Sequence, residues 1–580
     1  MSNLIFACWR DGRGALAESD LRRVADRLTP AHLPPPTHRM AMGPQEGLCL
    51  TGPVGAAVME GTSAHLGAFA GTWRDWPLPG SPVPDGTFAL VRSDRATVEL
   101  CSDFAGSRTL WYVLTDTRFL ASTSQRALVC LLEGLELNPA AFGWFLSSGN
   151  LGPTDAWDRR LRRLPPNSRL VLDRARWDLD LRTAPLEFRP EPMEASASQA
   201  ELLGILKAAV KRFDFASAAW ALPLSGGYDC RFILSVLVEA GWSPPTMTWG
   251  LAASLTQPGN DAYLARRLAD HFGLAHDYLL TERAEAAPEA VADRFLAASG
   301  GTTDQLFPYL DGLQMWASFA ARGIAGVIRG DEGFGWIPVR TVAHARSSVG
   351  LVLLRDFLGE ADAEAIADGR QRLPEALAHR PGESVATYRD RLYHGYRIPV
   401  GLAALNDVKA PFVEIASPLL TREVLAFVRR MPDALRTDKA AFRRLARTQG
   451  PPLPYATTGA DDDRSDYLRS EPYVRWFREE LEAGPVEALL PAPWRDRLRA
   501  DLRGGDFPAP STRSLRAALK RILPGPWVAE LRARRGPERP SLRLLTLRTA
   551  LASRMLRLLA ADGQTLTASA RAAALMEEGR

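Results

Sequence analysis

The sequence predicts an α+β amino-terminal domain, then an α/β domain built on a parallel sheet, and finally a mainly helical carboxyl-terminal part. Short apolar or alternating runs separated by turn residues fill the chain up to about residue 188, which is typical of antiparallel strands. Apolar strands alternate with amphipathic helices from about residue 195, which favours a parallel sheet with right-handed crossovers. Beyond residue 341 the chain is rich in Arg and has mainly helical patterning.

Two parts of the chain carry these patterns most clearly. The strands predicted in the first part are Asn3–Trp9, Gly55–Val58, Thr87–Arg92, Thr97–Cys101, Leu110–Leu114 and Ser168–Leu172. The elements predicted in the second part are a helix over Gln199–Phe213, a strand that ends at Leu224, a helix within 218–240, a strand over Thr246–Gly250 and a helix over Asp261–Phe272. A segment rich in Pro, Glu and Ser, residues 184–200, predicts a linker between them. The predicted domains are 1–188, 195–475 and 476–580.

Composition limits the possible functions. The 580 residues are 46% apolar and 24% charged, as in folded globular proteins. A net charge of +4 is far from that of a dedicated nucleic-acid binder. No apolar run approaches the ~20 residues that span a bilayer, and the start lacks the pattern of a signal peptide. The cysteines are too scattered for a disulfide framework or a zinc site, so we expect a cytoplasmic protein. They are Cys8, Cys49, Cys101, Cys130 and Cys230.

The most informative segment joins the strand ending at Leu224 to the next helix through Ser225-Gly226-Gly227. Glycine allows close approach of the backbone to a ligand and gives access to positive φ, and a helix amino terminus presents unpaired N–H groups. A strand, a glycine turn and a helix therefore form a cradle for phosphate. Asp229, in the first turn of that helix, predicts Mg²⁺, because a carboxylate beside phosphates needs an intervening cation.

The residues SGGYDC resemble the SGGxDS pyrophosphate loop of N-type ATP pyrophosphatases, and their surroundings resemble the asparagine synthetase family. The resemblance implies that ATP is split between its α- and β-phosphates and that a carboxylate, activated as acyl-AMP, is attacked by an amine. It assigns ATP binding to Ser225, Gly226, Gly227, Asp229 and Cys230. Cys230 replaces the second Ser of the loop, and a thiol is a poorer donor to phosphate.

Three later segments extend the resemblance. Residues 330–335, GDEGFG, are similar to the SDEVFGG of the family, which makes Asp331 the second Mg²⁺ ligand; a loop-capping role is the alternative. Ile328 stands where the family often has Glu or Tyr. Residues 413–420, VEIASPLL, are similar to VEARVPFLD, which implies that Glu414 orients or deprotonates the nucleophile.

Lysine is rare in this chain, which makes each one a candidate for chemistry that Arg cannot perform. The five are Lys207, Lys211, Lys409, Lys439 and Lys520. Residues 436–443, RTDKAAFR, resemble the start of the family's Gly-Lys helix. The resemblance gives Lys439 the task of stabilising the pentavalent phosphorus and the tetrahedral carbon. The run Asp461–Asp463 is interpreted as a solvated loop.

The first part of the chain resembles the amidotransferase domain of the same family, in DGTFALVRSD, in Leu110–Val129 and in the LRRLPP that ends at Pro166. The resemblance covers about residues 1–450 and implies an Ntn-hydrolase-like β-sandwich followed by an adenine-nucleotide α-hydrolase-like synthetase domain. Active glutaminases of this type need a cysteine directly after the initiator Met. Ser2 takes that place, and Cys8 lies inside a predicted strand. We therefore expect a scaffold without glutaminase activity.

Three functions remain. The first is an AMP-forming amide ligase whose amine belongs to the substrate, as in the lasso peptide cyclases that this loop, with Arg231, resembles. Its partners would be a peptide or small carboxylate substrate, and a leader-peptide-binding protein or protease of the same pathway. The second is an asparagine synthetase that uses ammonia. The third is a nucleotide-binding pseudoenzyme, favoured by Cys230 and Ile328. The sequence gives no function for the Arg-rich region after Ser511.

Overall fold

A computed structural model describes most of the chain. The described residues are 2–30, 32–52, 57–70, 76–215, 219–281, 283–366, 370–460, 468–485, 489–503 and 539–567. Asp461–Asp463 and most of the Arg-rich segment that follows Ser511 lie outside them.

Two antiparallel six-stranded sheets form the amino-terminal part. The first has the order β10-β8-β9-β1-β3-β2 and the second the order β12-β11-β7-β6-β5-β4. The strands are β1 (Asn3–Trp9), β2 (His38–Gly43), β3 (Glu46–Thr51), β4 (Ala57–Glu60), β5 (Ser63–Ala70), β6 (Asp85–Ser93), β7 (Thr97–Ser102), β8 (Trp111–Leu114), β9 (Arg118–Ser122), β10 (Arg162–Arg163), β11 (Ser168–Asp173) and β12 (Asp178–Thr183). The predicted antiparallel, β-rich first part is confirmed.

Strand alternation divides the first sheet between two cores. Leu4 and Phe6 of β1 point towards the second sheet and pack with Leu66 and Leu100 in the apolar layer between the sheets. Ile5 and its neighbours on the other face belong to a second core, which includes the first helices of the chain. This is why β1 is apolar at nearly every position rather than at every second one.

A five-stranded sheet follows, with the order β15-β14-β13-β16-β17. Its strands are β13 (Trp220–Pro223), β14 (Thr246–Gly250), β15 (His276–Leu280), β16 (Gly326–Ile328) and β17 (Glu414–Ala416), and all neighbours pair in parallel. The predicted parallel sheet is confirmed. Because β13 and β16 are neighbours, the residues that follow their carboxyl ends lie at one edge of the sheet.

The helices surround these three sheets. They are α1 (Glu18–Leu28), α2 (Gln125–Leu131), α3 (Pro139–Ser148), α4 (Ala195–Lys211), α5 (Tyr228–Glu239), α6 (Asp261–Phe272), α7 (Pro288–Ser299), α8 (Gln314–Ala321), α9 (Val342–Ser348), α10 (Glu360–Ala365), α11 (Val385–Leu392), a π-helix (Tyr393–Leu402), α12 (Ala403–Lys409), α13 (Arg422–Arg430), α14 (Asp433–Arg436), α15 (Ala440–Gln449), α16 (Glu471–Ala483), α17 (Ala492–Arg503) and α18 (Leu542–Asp562).

The predicted linker is shorter than expected and is held in place. Helix α4 begins at Ala195 because the Glu194 side chain accepts hydrogen bonds from the backbone N–H groups of Ser196 and Ala197. The N–H groups of Arg189 and Glu191 donate to carbonyl oxygens at the end of α13. Residues 184–194 therefore form a fixed connection along the second part of the molecule rather than a flexible spacer.

The described carboxyl-terminal helices pack against the rest of the chain. The expected boundary after residue 475 falls inside α16, and α18 packs against α2, α3, α7 and α16. Asp562 at the end of α18 accepts two hydrogen bonds from buried Arg126 of α2. The last described helix thus joins the amino-terminal part to the parallel-sheet part. None of the helices in the described ranges is long and apolar enough to cross a membrane.

Candidate active site

The glycine turn lies where the sequence places it, between β13 and α5. Gly227 is the N-cap of α5 and has a φ of −78°. Neither Gly226 nor Gly227 adopts the positive φ that glycine would allow. Gly226 is required because there is no room for a side chain. A Cβ at this position would lie 2.7 Å from the Cβ of Ala456 and 2.9 Å from the Cβ of Leu264.

The N–H groups of the turn have partners within the protein. Gly226 donates to Oδ1 of Asp261 at 3.0 Å, and Gly227 donates to Oγ of Ser225 at 3.2 Å. Burial raises the pKa of Asp261, while the Gly226 N–H acts in the opposite direction. A bound phosphate would take the Gly227 N–H only after the Ser225 hydroxyl turned away, which is a rotation about one side-chain bond.

A buried arginine fixes the turn against the loop that follows α15. Arg231 donates to the carbonyl oxygens of Leu453 at 2.7 Å and Pro454 at 2.6 Å. Its guanidinium carbon lies 3.9 Å from the ring centre of Tyr455, and that ring stacks on Tyr228 at 3.9 Å. The turn is therefore held by the loop after α15 as well as by the sheet.

Lys439 links the turn to the loop after β16. Its Nζ lies 3.0 Å from Oδ2 of Asp229 and 2.8 Å from Oε1 of Glu332. The sequence predicts Lys439 and Asp229 in the site but not Glu332, although this residue stands beside Asp331 in GDEGFG. The structure shows that Glu332 contacts the lysine as well as Asp229. Its buried side chain also accepts the Phe334 N–H at 2.6 Å.

The backbone that presents Lys439 is unusual. Asp438 and Lys439 have φ values of 57° and 56°, in the left-handed region that non-glycine residues rarely occupy. The Asp438 N–H donates to the Trp336 carbonyl at 2.8 Å, which holds this conformation next to the first residue of α15. Strain of this kind persists where the surrounding structure enforces it, and it is concentrated at functional sites.

Burial and neighbouring charges change the protonation of these groups. Burial raises the pKa of Asp229, and Lys439 opposes this increase. Burial also raises the pKa of Glu332 to about 7. For Lys439, burial acts to lower the pKa, but Glu332 and Asp229 outweigh it and hold the pKa above its usual value. Lys439 therefore remains a cation at neutral pH.

A second group that the sequence argument missed is Tyr393, the first residue of the π-helix. Its side chain is buried, and burial together with the Glu332 and Asp331 carboxylates raises its pKa well above the usual value. The phenol is therefore neutral at physiological pH. A π-helix often marks a functional site, but no sequence pattern predicted one here.

Asp331, predicted as a metal ligand, lies in the same region. Its carboxylate is 3.6 Å from the Arg329 guanidinium and raises the pKa of Asp229 through its charge. A Cβ on Gly330 would lie 2.8 Å from the Cβ of Asp229, so the two loops are in direct contact. In the described ranges no group of three or more His, Cys, Asp or Glu side chains could hold a metal ion by itself. Asp229 and Asp331 supply carboxylate oxygens of the kind that Mg²⁺ binds, but Lys439 lies 3.0 Å from Asp229 in this structure.

The structure does not bring Glu414 to this site. The residue pairs with Gly326 at the start of β16, whereas the glycine turn and Glu332 follow the opposite ends of their strands. Its side chain is fully buried, with Oε2 2.6 Å from Nη1 of Arg108. The expected role in deprotonating a nucleophile is corrected here to an ion pair between the two large parts of the molecule.

The two departures from the family pattern also have definite positions. Cys230 is half-buried behind the glycine turn, and burial raises the pKa of its thiol to about 11. It is therefore a neutral thiol at physiological pH. Ile328 is fully buried at the end of β16 and packs in the core beside Phe334. It offers no group for acid–base chemistry.

Ser2 is enclosed rather than presented to a substrate. It is 1% exposed, its N–H donates to the Ala410 carbonyl at 2.9 Å, and its Oγ has no partner. The cavity beside it has a volume of about 30 Å³, enough for about one water molecule. Cys8 is buried as expected, and burial raises its pKa to about 11.

The fold and the site define a mixed α/β protein with a cationic lysine held between two carboxylates at the carboxyl edge of a parallel sheet. No protein-family model and no curated protein matches the chain. The resemblance to the asparagine synthetase family therefore rests on the motifs quoted above.

Proposed function

We propose that the protein is an ATP-dependent, AMP-forming amide ligase of the asparagine synthetase type, with an Ntn-hydrolase-like domain and an adenine-nucleotide α-hydrolase-like domain. One observation carries the proposal. Lys439 contacts Asp229 and Glu332 next to the glycine turn, although the three residues come from segments more than 100 residues apart. A phosphate cradle, a fixed cation and carboxylates are the groups that nucleotidyl transfer requires.

Each residue of the site has a separate proposed role. Ser225, Gly226 and Gly227 bind the β- and γ-phosphates of ATP. Asp229 and Asp331 would hold Mg²⁺, and the bound ion would supply positive charge against the phosphates. The substrate carboxylate attacks the α-phosphorus, pyrophosphate leaves, and the amine then displaces AMP to form the amide. Lys439 supplies positive charge to the oxygens that become negative in both steps.

The amine is proposed to belong to the substrate itself. Ser2 is 1% exposed, with a small cavity of about 30 Å³ beside it, and this enclosure favours a scaffold role for the amino-terminal part. A substrate that carries both carboxylate and amine supplies a high effective concentration of the nucleophile. This favours macrolactam formation in a peptide, as in lasso peptide cyclases. The reaction is proposed to take place in the cytoplasm, with a leader-peptide-binding protein or a protease of the same pathway as partner.

The test is the product formed from ATP, Mg²⁺ and the precursor peptide encoded beside the gene. We expect mass spectrometry to show loss of one water from the peptide, one AMP per product and pyrophosphate exchange that depends on the peptide. Asparagine formed from aspartate and ammonium would contradict the cyclase and support an asparagine synthetase. Absence of exchange with every carboxylate tried would contradict ligase activity and support a pseudoenzyme.

The close packing of the turn gives a prediction for ATP binding. In Gly226→Ala the new methyl group would lie 2.7 Å from the Cβ of Ala456, and neither that atom nor the Leu264 Cβ can move by a side-chain rotation. The turn must shift, so we expect ATP to bind at least ~10-fold more weakly by calorimetry. Gly204→Ala in α4 is the matched control, because no atom lies within 4 Å of its Cβ. Equal affinity in both variants would exclude the turn as the ATP site.

A further inference from the structure

A cavity lined by charged side chains lies apart from the glycine turn. It has a volume of about 650 Å³ and shares no lining residue with the candidate active site. Its walls come from the end of α1 and the segment after it, from α2, from α7 and from α18. The three predicted parts of the chain therefore meet around it. Its volume is in the range of small-molecule sites.

Positive charge dominates this cavity. Five guanidinium groups line it, those of Arg27, Arg126, Arg294, Arg554 and Arg557. Their ion-pair partners are three carboxylates, Asp293, Glu480 and Asp562. An excess of two positive charges remains among the described residues.

The five guanidinium groups differ in how many of their nitrogens already donate hydrogen bonds to the protein. Arg126 and Arg554 use all three of their nitrogens on protein oxygens. Arg27 and Arg557 each bond protein oxygens through one nitrogen. Arg294 forms no ion pair with any described carboxylate, although it is half-buried. Three arginines thus present unused donors to the cavity.

His32 adds a second, independent observation. Both ring nitrogens are buried, and neither has a hydrogen-bond partner. The ring lines the same cavity, near enough to Arg294 for the guanidinium charge to lower its pKa, after the larger effect of burial. Unpaired buried polar atoms are costly, and a bound ligand would satisfy them.

We infer that this cavity binds a small anion with two negative charges, a phosphate monoester or a dicarboxylate, through Arg27, Arg294, Arg557 and His32. The fork of a guanidinium matches both oxyanions, and two charges balance the local excess. This inference does not depend on the proposed ligase activity, because the cavity shares no residue with the site around Lys439.

The test uses the full chain in a buffer free of phosphate and carboxylates. Inorganic phosphate and succinate are titrated separately by calorimetry at constant ionic strength. We expect at least one of them to bind and to raise the midpoint of thermal unfolding. We expect Arg294→Gln combined with Arg557→Gln to weaken that binding ~10-fold or more while ATP affinity stays unchanged. Arg294→Lys keeps the positive charge but not the paired N–H donors of the guanidinium, so it should weaken anion binding less than the double variant does.

Two controls separate this cavity from other sources of anion binding. Arg322→Gln removes an exposed guanidinium that pairs with Asp277 outside the cavity, and it should have no effect. Gly226→Ala, which displaces the glycine turn, should also leave the affinity unchanged. Binding of phosphate alone or of succinate alone identifies the ligand class. If neither probe binds at ~10 mM, or if the double variant binds as the unaltered protein does, the inference is overturned.

Discussion

Lys439→Ala is expected to abolish amide formation while ATP binding is retained. The substitution removes a cation that contacts both Asp229 and Glu332, at 3.0 and 2.8 Å. Loss of a single charge-stabilising donor typically lowers turnover by roughly 10² to 10³, and Lys439 is proposed to act in two steps. The proposed cradle for the triphosphate is the backbone of the glycine turn, which the substitution does not touch.

Single-turnover measurements with the peptide, together with calorimetric titration of ATP, check this prediction. Lys211→Ala is the matched control, because that lysine is exposed and pairs only with Glu239 on the surface, at 3.3 Å. It should retain turnover and stability. If Lys439→Ala keeps full turnover, Lys439 has no part in the chemistry. If it loses ATP binding as well, its main effect is on the shape of the site.

Glu414→Leu is expected to destabilise the protein strongly. The change leaves Arg108 buried and without its carboxylate partner, which lies 2.6 Å away. Removing one partner of a buried ion pair typically costs about 3–5 kcal/mol. Arg108 also donates to the Ser2 carbonyl at 2.6 Å, so the loss extends to the packing of the first strand. The midpoint of urea unfolding should fall accordingly.

The double variant Arg108→Met with Glu414→Leu decides between the structural and catalytic roles of Glu414. An apolar pair can replace a buried ion pair with little loss, so we expect most of the stability to return. Turnover should return with it, since Glu414 lies at the opposite end of β17 from the site. A stable double variant with turnover lowered by orders of magnitude would instead restore Glu414 as a catalytic group.

The sequence predicted the elements that depend on local patterns. Strand Thr246–Gly250 and helix Asp261–Phe272 have the predicted bounds, because alternation, apolar spacing and capping residues act over short distances. Asn260, for example, accepts the Ala262 N–H at the start of α6. The start of α4 was missed because Glu194, rather than a Ser, Thr, Asp or Asn, caps it.

In the candidate site, too, some residues were predicted from local sequence and others were not. Ser225 to Gly227, Asp229 and Lys439 were found from their sequence context, and the structure brings Asp229 and Lys439 into contact. Glu332 was overlooked because adjacent acidic residues cannot be distinguished by a motif. Glu414 was misplaced because a motif does not specify at which end of a strand its side chain lies. The basic cavity around Arg294 has no sequence signal, since its arginines come from four distant segments.

By itself the sequence determined the β-rich first part, the parallel sheet and the glycine turn, because hydrophobic periodicity and glycine chemistry are local properties. The tertiary structure alone decided which carboxylates meet Lys439, that Ser2 is enclosed and that Glu414 pairs with Arg108. Those outcomes depend on strand order and on how the sheets pack together. Contacts between residues hundreds of positions apart follow from how whole layers pack, and no short window of sequence contains that information.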